Sequence, residues 1–113
     1  MDCIFCKIVN KEIPSSVVYE DDKVLAFHDL NKEAPVHVLI IPKKHISSLN
    51  DIKPEDGELI GYIMLKAKEL AKELGVDESG YRIVNNTGKE GGQTVGHLHY
   101  HLLGGRHMQW PPG

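Results

Sequence analysis

The chain has 113 residues, 41% of them hydrophobic and 26% charged, with a formal net charge of −3. That length suits a single domain over 1–113, and the slightly acidic balance excludes the broad basic field that holds a nucleic-acid polymer. No apolar run approaches the roughly 20 residues that cross a bilayer and no signal-peptide pattern precedes Cys3, so no membrane partner is expected and the expected location is the cytoplasm.

In chain order, Ile4, Phe5, Ile8 and Val9 recur at helical spacing and predict a short helix over residues 3–10. Residues 17–20 and 24–28, separated by the turn residues Asp21 and Asp22, predict a β-hairpin. Residues 29–35 form a connection. The nearly continuous apolar run over 37–42 predicts a central, well-buried strand ended by Pro42. One long helix follows over 54–74. Pro54 suits its first position, Glu55, Asp56 and Glu58 complement its dipole, and Leu59, Ile60, Ile63, Ala67, Leu70, Ala71 and Leu74 form one apolar stripe that Gly75 terminates. Residues 81–85 predict a fourth strand and 97–103 a fifth, with a loop over 86–94 and a tail over 106–113. The order β-β-β-α-β-β, with short links, predicts an α+β domain. Its antiparallel five-stranded sheet is expected to carry one long and one short helix on one side.

Cys3 and Cys6 form a C-x-x-C pair. The loop between them is too small for a stabilising disulfide, and a redox pair would follow a strand in a βαβ pattern. Half a zinc site and two buried thiols remain open.

The stretch His97-Leu98-His99-Tyr100-His101-Leu102-Leu103 is the most informative in the chain. Alternation puts three imidazoles on one face and Leu98, Tyr100 and Leu102 on the other. Imidazole can carry or release a proton near neutral pH. Along a strand, Cα atoms four residues apart are about 13 Å apart, whereas nitrogens on one tetrahedral zinc are only about 3–3.5 Å apart. The three histidines are therefore not expected to share one metal, although any one of them could join ligands from elsewhere in the chain. A central nucleophile, His99, attacking phosphorus is the alternative. The preceding loop fits an anion: Gly91 and Gly92 allow close backbone approach, Gln93, Thr94, Val95 and Gly96 offer N–H groups, and Asn86 and Thr94 add neutral donors.

The H-φ-H-φ-H-φ-φ pattern resembles the signature of the histidine triad (HIT) family of nucleotide hydrolases and transferases. Resemblance to its Hint branch, the purine nucleoside phosphoramidases, covers nearly the whole chain. It includes Ile4-Phe5, Ala26-Phe27-His28-Asp29, the segment 37–47, Gly91-Gly92-Gln93-Thr94, Gly104-Gly105-Arg106 and Trp110-Pro111-Pro112-Gly113. The resemblance implies that His99 attacks the α-phosphate of a purine nucleoside phosphoramidate, giving a nucleotidyl-histidine that water hydrolyses to nucleoside monophosphate. It further implies that His101 binds the phosphate with Asn86, Thr94 and Val95, and that His37 supports the triad. Where Thr94 stands the family commonly has serine, which keeps the hydroxyl and adds a methyl group here. Asp29 would take the ribose hydroxyls, Phe5, Ile8, Phe27 and Leu30 the purine, with His28 and Trp110 completing the substrate contacts. Related proteins bind a structural zinc through the counterparts of Cys3, Cys6, His45 and His97, so Zn2+ is the expected cofactor and no organic one is expected. A two-fold homodimer with a continuous ten-stranded sheet is implied, in which Trp110 approaches the partner's site. Two other functions fit the same family: dinucleoside polyphosphate hydrolysis, and a nucleotide-binding or scaffold role with incidental hydrolysis.

Overall fold

The computed structural model describes residues 3–113. Helix α1 (Ile4–Val9) is followed by strands β1 (Val17–Glu20), β2 (Val24–His28) and β3 (Val36–Pro42), helix α2 (Gly57–Glu73), and strands β4 (Tyr81–Val84) and β5 (Tyr100–Gly104). All strand pairs are antiparallel, in the order β1-β2-β3-β5-β4. The expected five-stranded sheet, one long helix and one short helix are all present.

Register explains the layering. In β2, Val24 and Ala26 face the α2 side with Val38 and Ile40 of β3 and Leu98, Tyr100 and Leu102, and they pack with Ile63, Ala67, Leu70 and Ala71 of α2. The alternate residues Leu25, Phe27, Leu39 and Ile41 face the other way and pack with Phe5 and Ile8 of α1. Removing each such side chain from water contributes about 1.5–3 kcal/mol. The two helices therefore cover opposite faces, whereas the chain order suggested one. The reason is visible in β2 and β3, whose adjacent residues are buried in both directions of the pleat, a state that requires cover on both sides.

Two boundaries also differ from expectation. The long helix opens with a separate 3-10 turn, Pro54–Asp56, before α2 begins at Gly57. Asp56 is buried there, accepting from the Lys53 backbone N–H at 3.0 Å and pairing with Lys44 at 2.5 Å. The last strand starts at Tyr100 instead of His97, because the Leu98 N–H leaves the β3 ladder and donates to the Ile46 carbonyl at 2.6 Å. Gly75 ends α2 with φ of 76°, a left-handed conformation that glycine adopts without steric cost. Among the described residues no helix is long and apolar enough to cross a membrane.

Candidate active site and metal centre

Although 97–99 lies outside the regular ladder, its side chains keep the alternation, with His97 and His99 buried and facing α1. The Nδ1–H of His99 donates to the His97 carbonyl at 2.7 Å. A neutral imidazole with its proton on Nδ1 carries a lone pair on Nε2, and among the described residues Nε2 of His99 has no hydrogen-bond partner. The ring stands edge-on to Phe5, with centroids 5.2 Å apart, and 5.1 Å from the ring of His101. His101 Nδ1 lies 2.8 Å from His37 Nε2, while His101 Nε2 is buried without a hydrogen-bond partner among the described residues. Burial, reinforced by His99 and His37 and opposed by Asp29, pushes the His101 pKa down to about 4. His101 is thus neutral near pH 7.

His37 is fixed from its other side. Its Nδ1 meets both the Asn31 carbonyl at 3.1 Å and the Glu33 N–H at 3.2 Å. Asp29 divides its carboxylate: Oδ1 accepts the Asn31 N–H at 2.9 Å, closing the turn, and Oδ2 stands 3.3 Å from His37 Nε2.

A cavity of about 750 Å³ runs from these histidines to α1. Phe5, Ile8 and Phe27 form its apolar end, and His28, Asp29, Asn86, Thr94, Val95, His37, His99 and His101 line the rest. Leu30 lies at the mouth and is 98% exposed, so it encloses nothing in the single chain. Trp110 does not line the cavity; it is exposed, with its ring 6.0 Å from the Arg82 guanidinium. The loop glycines have separate tasks. Gly92 lines the cavity at φ of 80°, whereas Gly91 lacks a side chain for the loop's own closure, since a Cβ there would stand 2.3 Å from the Thr87 carbonyl oxygen.

Sequence reading missed Asn85, whose amide donates to the His99 carbonyl at 3.0 Å and holds the triad backbone against β4. It also missed Ser15 and Ser16 at the cavity wall. The paired asparagines after β4 were the available signal for the first; nothing in a short polar connection marks the second.

The second cluster joins Cys3, Cys6, His45 and His97, whose donor atoms all lie within 4.8 Å of one another. His97 Nδ1 is 3.4 Å from Cys3 Sγ, 3.6 Å from Cys6 Sγ and 3.2 Å from His45 Nδ1, and Cys6 Sγ is 3.2 Å from His45 Nδ1. Donors around a tetrahedral zinc are about 3.3–3.8 Å apart, given bonds of about 2.0–2.3 Å, so the set fits that ion. The outer hydrogen bonds fit as well. The His97 Nε2–H donates to the Pro42 carbonyl at 2.8 Å, and His45 Nε2 lies 3.4 Å from the Ser47 hydroxyl, so each ring can turn a bare Nδ1 inward. Burial raises the Cys6 thiol pKa and, as the largest of its causes, lowers that of His97. A dication offsets the cost of a buried thiolate. Four protein donors leave no open coordination position, the pattern of a structural site.

The chain is similar to a HIT family hydrolase from Legionella pneumophila Philadelphia 1, with 54% identity, coverage of 99% of this chain and 100% of that one, and a TM-score of 0.98. A 14 kDa zinc-binding protein from Zea mays is 55% identical over 97% of this chain and 87% of its own length. A histidine triad nucleotide-binding protein from Candida albicans shares 37% identity over 97% of this chain and 83% of that one, with a TM-score of 0.84. The HIT domain model matches residues 10–108, most of the chain and all three triad histidines. The chain belongs to the HIT domain family.

Proposed function

We propose that this chain is a single HIT domain of the Hint branch, a hydrolase that cleaves the P–N bond of purine nucleoside phosphoramidates. The observation that carries the reading is the 2.7 Å hydrogen bond from His99 Nδ1 to the His97 carbonyl. In the neutral ring it turns the Nε2 lone pair toward the cavity, beside the unpartnered Nε2 of His101. A neutral imidazole in that state is a nucleophile toward phosphorus without prior loss of a proton.

On this reading the purine occupies the apolar end between Phe5, Ile8 and Phe27, with Leu30 at the mouth and His28 flanking it. The ribose hydroxyls bind Asp29 Oδ2, the carboxylate oxygen not used in the turn. The phosphate then reaches His101, Asn86, Thr94 and the Val95 backbone. The His99 Nε2 lone pair forms a bond to phosphorus as the P–N bond breaks, and the departing amine takes both bonding electrons and a proton from solvent. Water then attacks phosphorus and gives a proton back to solvent, the His99–phosphorus bond breaks with its electron pair returning to Nε2, and nucleoside monophosphate leaves. His37, bonded to His101 Nδ1, orients the ring that contacts the phosphate. Zinc at Cys3, Cys6, His45 and His97 is structural. It would contribute folding free energy and no catalytic step.

We also propose a two-fold homodimer. The open edge of β4, the exposed Met64 and Leu65 on α2, and exposed Tyr81 and Trp110 support that assembly. Trp110 would then reach the partner's cavity. The test of the reaction is His99→Asn, which retains nucleoside monophosphate binding but loses turnover of an adenosine phosphoramidate by about a thousandfold or more. Wild-type kcat/KM is higher on that substrate than on a diadenosine polyphosphate. Full turnover by the variant ends the proposal, and the reverse substrate order moves the chain to polyphosphate hydrolysis.

A further inference from the structure

Helix α1 carries two sets of residues that interleave along six positions. Cys6 lies in the helix and Cys3 caps it, accepting the Cys6 N–H at 3.3 Å. Phe5 and Ile8, between and just beyond them, form the wall of the nucleotide cavity. Phe5 stands edge-on to Phe27, with centroids 5.6 Å apart, and edge-on to His99. A six-residue helix is far below the roughly 12–15 residues needed for independent stability, so its position depends on what docks it. Besides the packing of Phe5 and Ile8 on Leu25, Phe27, Leu39 and Ile41, the Cys3, Cys6, His45 and His97 donor set ties this helix to both the segment after β3 and the triad strand.

We infer that Cys3 and Cys6 are positioning residues for the purine: the metal they hold docks α1, which sets Phe5 and Ile8, so that zinc and a purine nucleotide raise each other's affinity. This inference rests on the proposed nucleotide site and on zinc filling the four-donor site. A ligand that touches α1 binds best when α1 is docked, and the metal favours the docked state, so each ligand biases the same element. The coupling must be reciprocal and of equal size in both directions. It also depends on the base. A ligand carrying only ribose and phosphate meets Asp29, Asn86, Thr94 and the histidines, but not Phe5 or Ile8.

The experiment is a competition between the zinc-loaded protein and a chromophoric chelator, run alone, with adenosine monophosphate, and with ribose 5-phosphate. The two nucleotide-site ligands are used at equal saturation of the holoprotein. Adenosine monophosphate is expected to raise zinc affinity about tenfold, within the usual range of coupling between sites, and ribose 5-phosphate to leave it unchanged. In the reciprocal direction, the metal-free protein should bind adenosine monophosphate about tenfold more weakly than the zinc form by calorimetry. Equal shifts with both ligands would show coupling through the whole fold and overturn the α1 route, even if the metal-free chain unfolds. No shift with either overturns the inference alone. Failure of adenosine monophosphate to bind the zinc form removes the nucleotide site with it, and absence of zinc uptake removes the metal.

Discussion

Gly91→Ala tests whether the geometry of the loop before the triad matters as the structure implies. A Cβ at this position would lie 2.3 Å from the Thr87 carbonyl oxygen, 2.9 Å from its nitrogen and 3.0 Å from its carbonyl carbon. All three are backbone atoms, so no side chain can swing away, and the oxygen contact is about 1 Å short of ordinary van der Waals separation. The loop has little slack. Gly92 and Gln93 donate to the carbonyls of Lys89 and Gly88, and the Gln93 side chain bridges the Gly88 N–H to the carbonyls of Ser47 and Val95. Opening it displaces Asn86 and Thr94, which flank it at the cavity. Overpacking of this kind costs about 1–3 kcal/mol of stability. A displacement near 1 Å of substrate-positioning groups lowers the rate by about a hundredfold. Gly88→Ala is the control. It has φ of 73° but nothing within 4 Å of its Cβ, so it strains one residue without forcing the loop open. The assays are thermal denaturation and kcat/KM on an adenosine phosphoramidate. Gly91→Ala should lose both, and Gly88→Ala should lose stability with kcat/KM changed by no more than a few-fold. Wild-type stability and kcat/KM in Gly91→Ala would refute the reasoning.

Protonation of His101 should weaken the fold. Its folded pKa, about 4, lies below the ordinary 6.5, so between those values the unfolded chain binds more protons than the folded one. The stability due to a neutral His101 is complete above pH 6.5 and is lost as pH falls through about 4. Urea unfolding between pH 4 and 7 should show a steeper loss of stability in the wild type than in His101→Gln; parallel curves would contradict this. Sedimentation at micromolar concentration should give twice the chain mass. A Tyr81→Glu, Leu65→Glu double variant should shift the species to monomer, and a monomeric wild type would end the ten-stranded-sheet proposal.

Much of the fold was legible in the sequence because two periodicities are clean. The stripe from Leu59 to Leu74 reports a helix with one buried face, and His97 to Leu103 reports two faces of a strand with different chemistry. The histidine alternation survived even where the ladder did not, since side-chain direction follows local backbone extension and pairing depends on a distant partner, here Ile46. The placement of α1 was harder to read. Its position opposite α2 follows from Leu25, Phe27, Leu39 and Ile41 needing cover, a requirement implicit in the unbroken apolar runs. Asp29 shows how one residue satisfies two readings: as a turn residue it uses Oδ1, and toward the cavity it presents Oδ2. Asn85, by contrast, acts through a backbone carbonyl 14 positions away; the paired asparagines mark the position but not that partner.

The most direct measurement is to trap the covalent species. The protein is mixed with radiolabelled adenosine phosphoramidate, quenched within the first turnover, digested at alkaline pH where phosphohistidine survives, and its peptides are sequenced by mass spectrometry. Adenylate is expected on the peptide containing His97, His99 and His101, with fragmentation placing it on His99 and no label on the His99→Asn variant. Turnover with no enzyme-bound adenylate under conditions that retain phosphohistidine, or label on another residue, would contradict the mechanism.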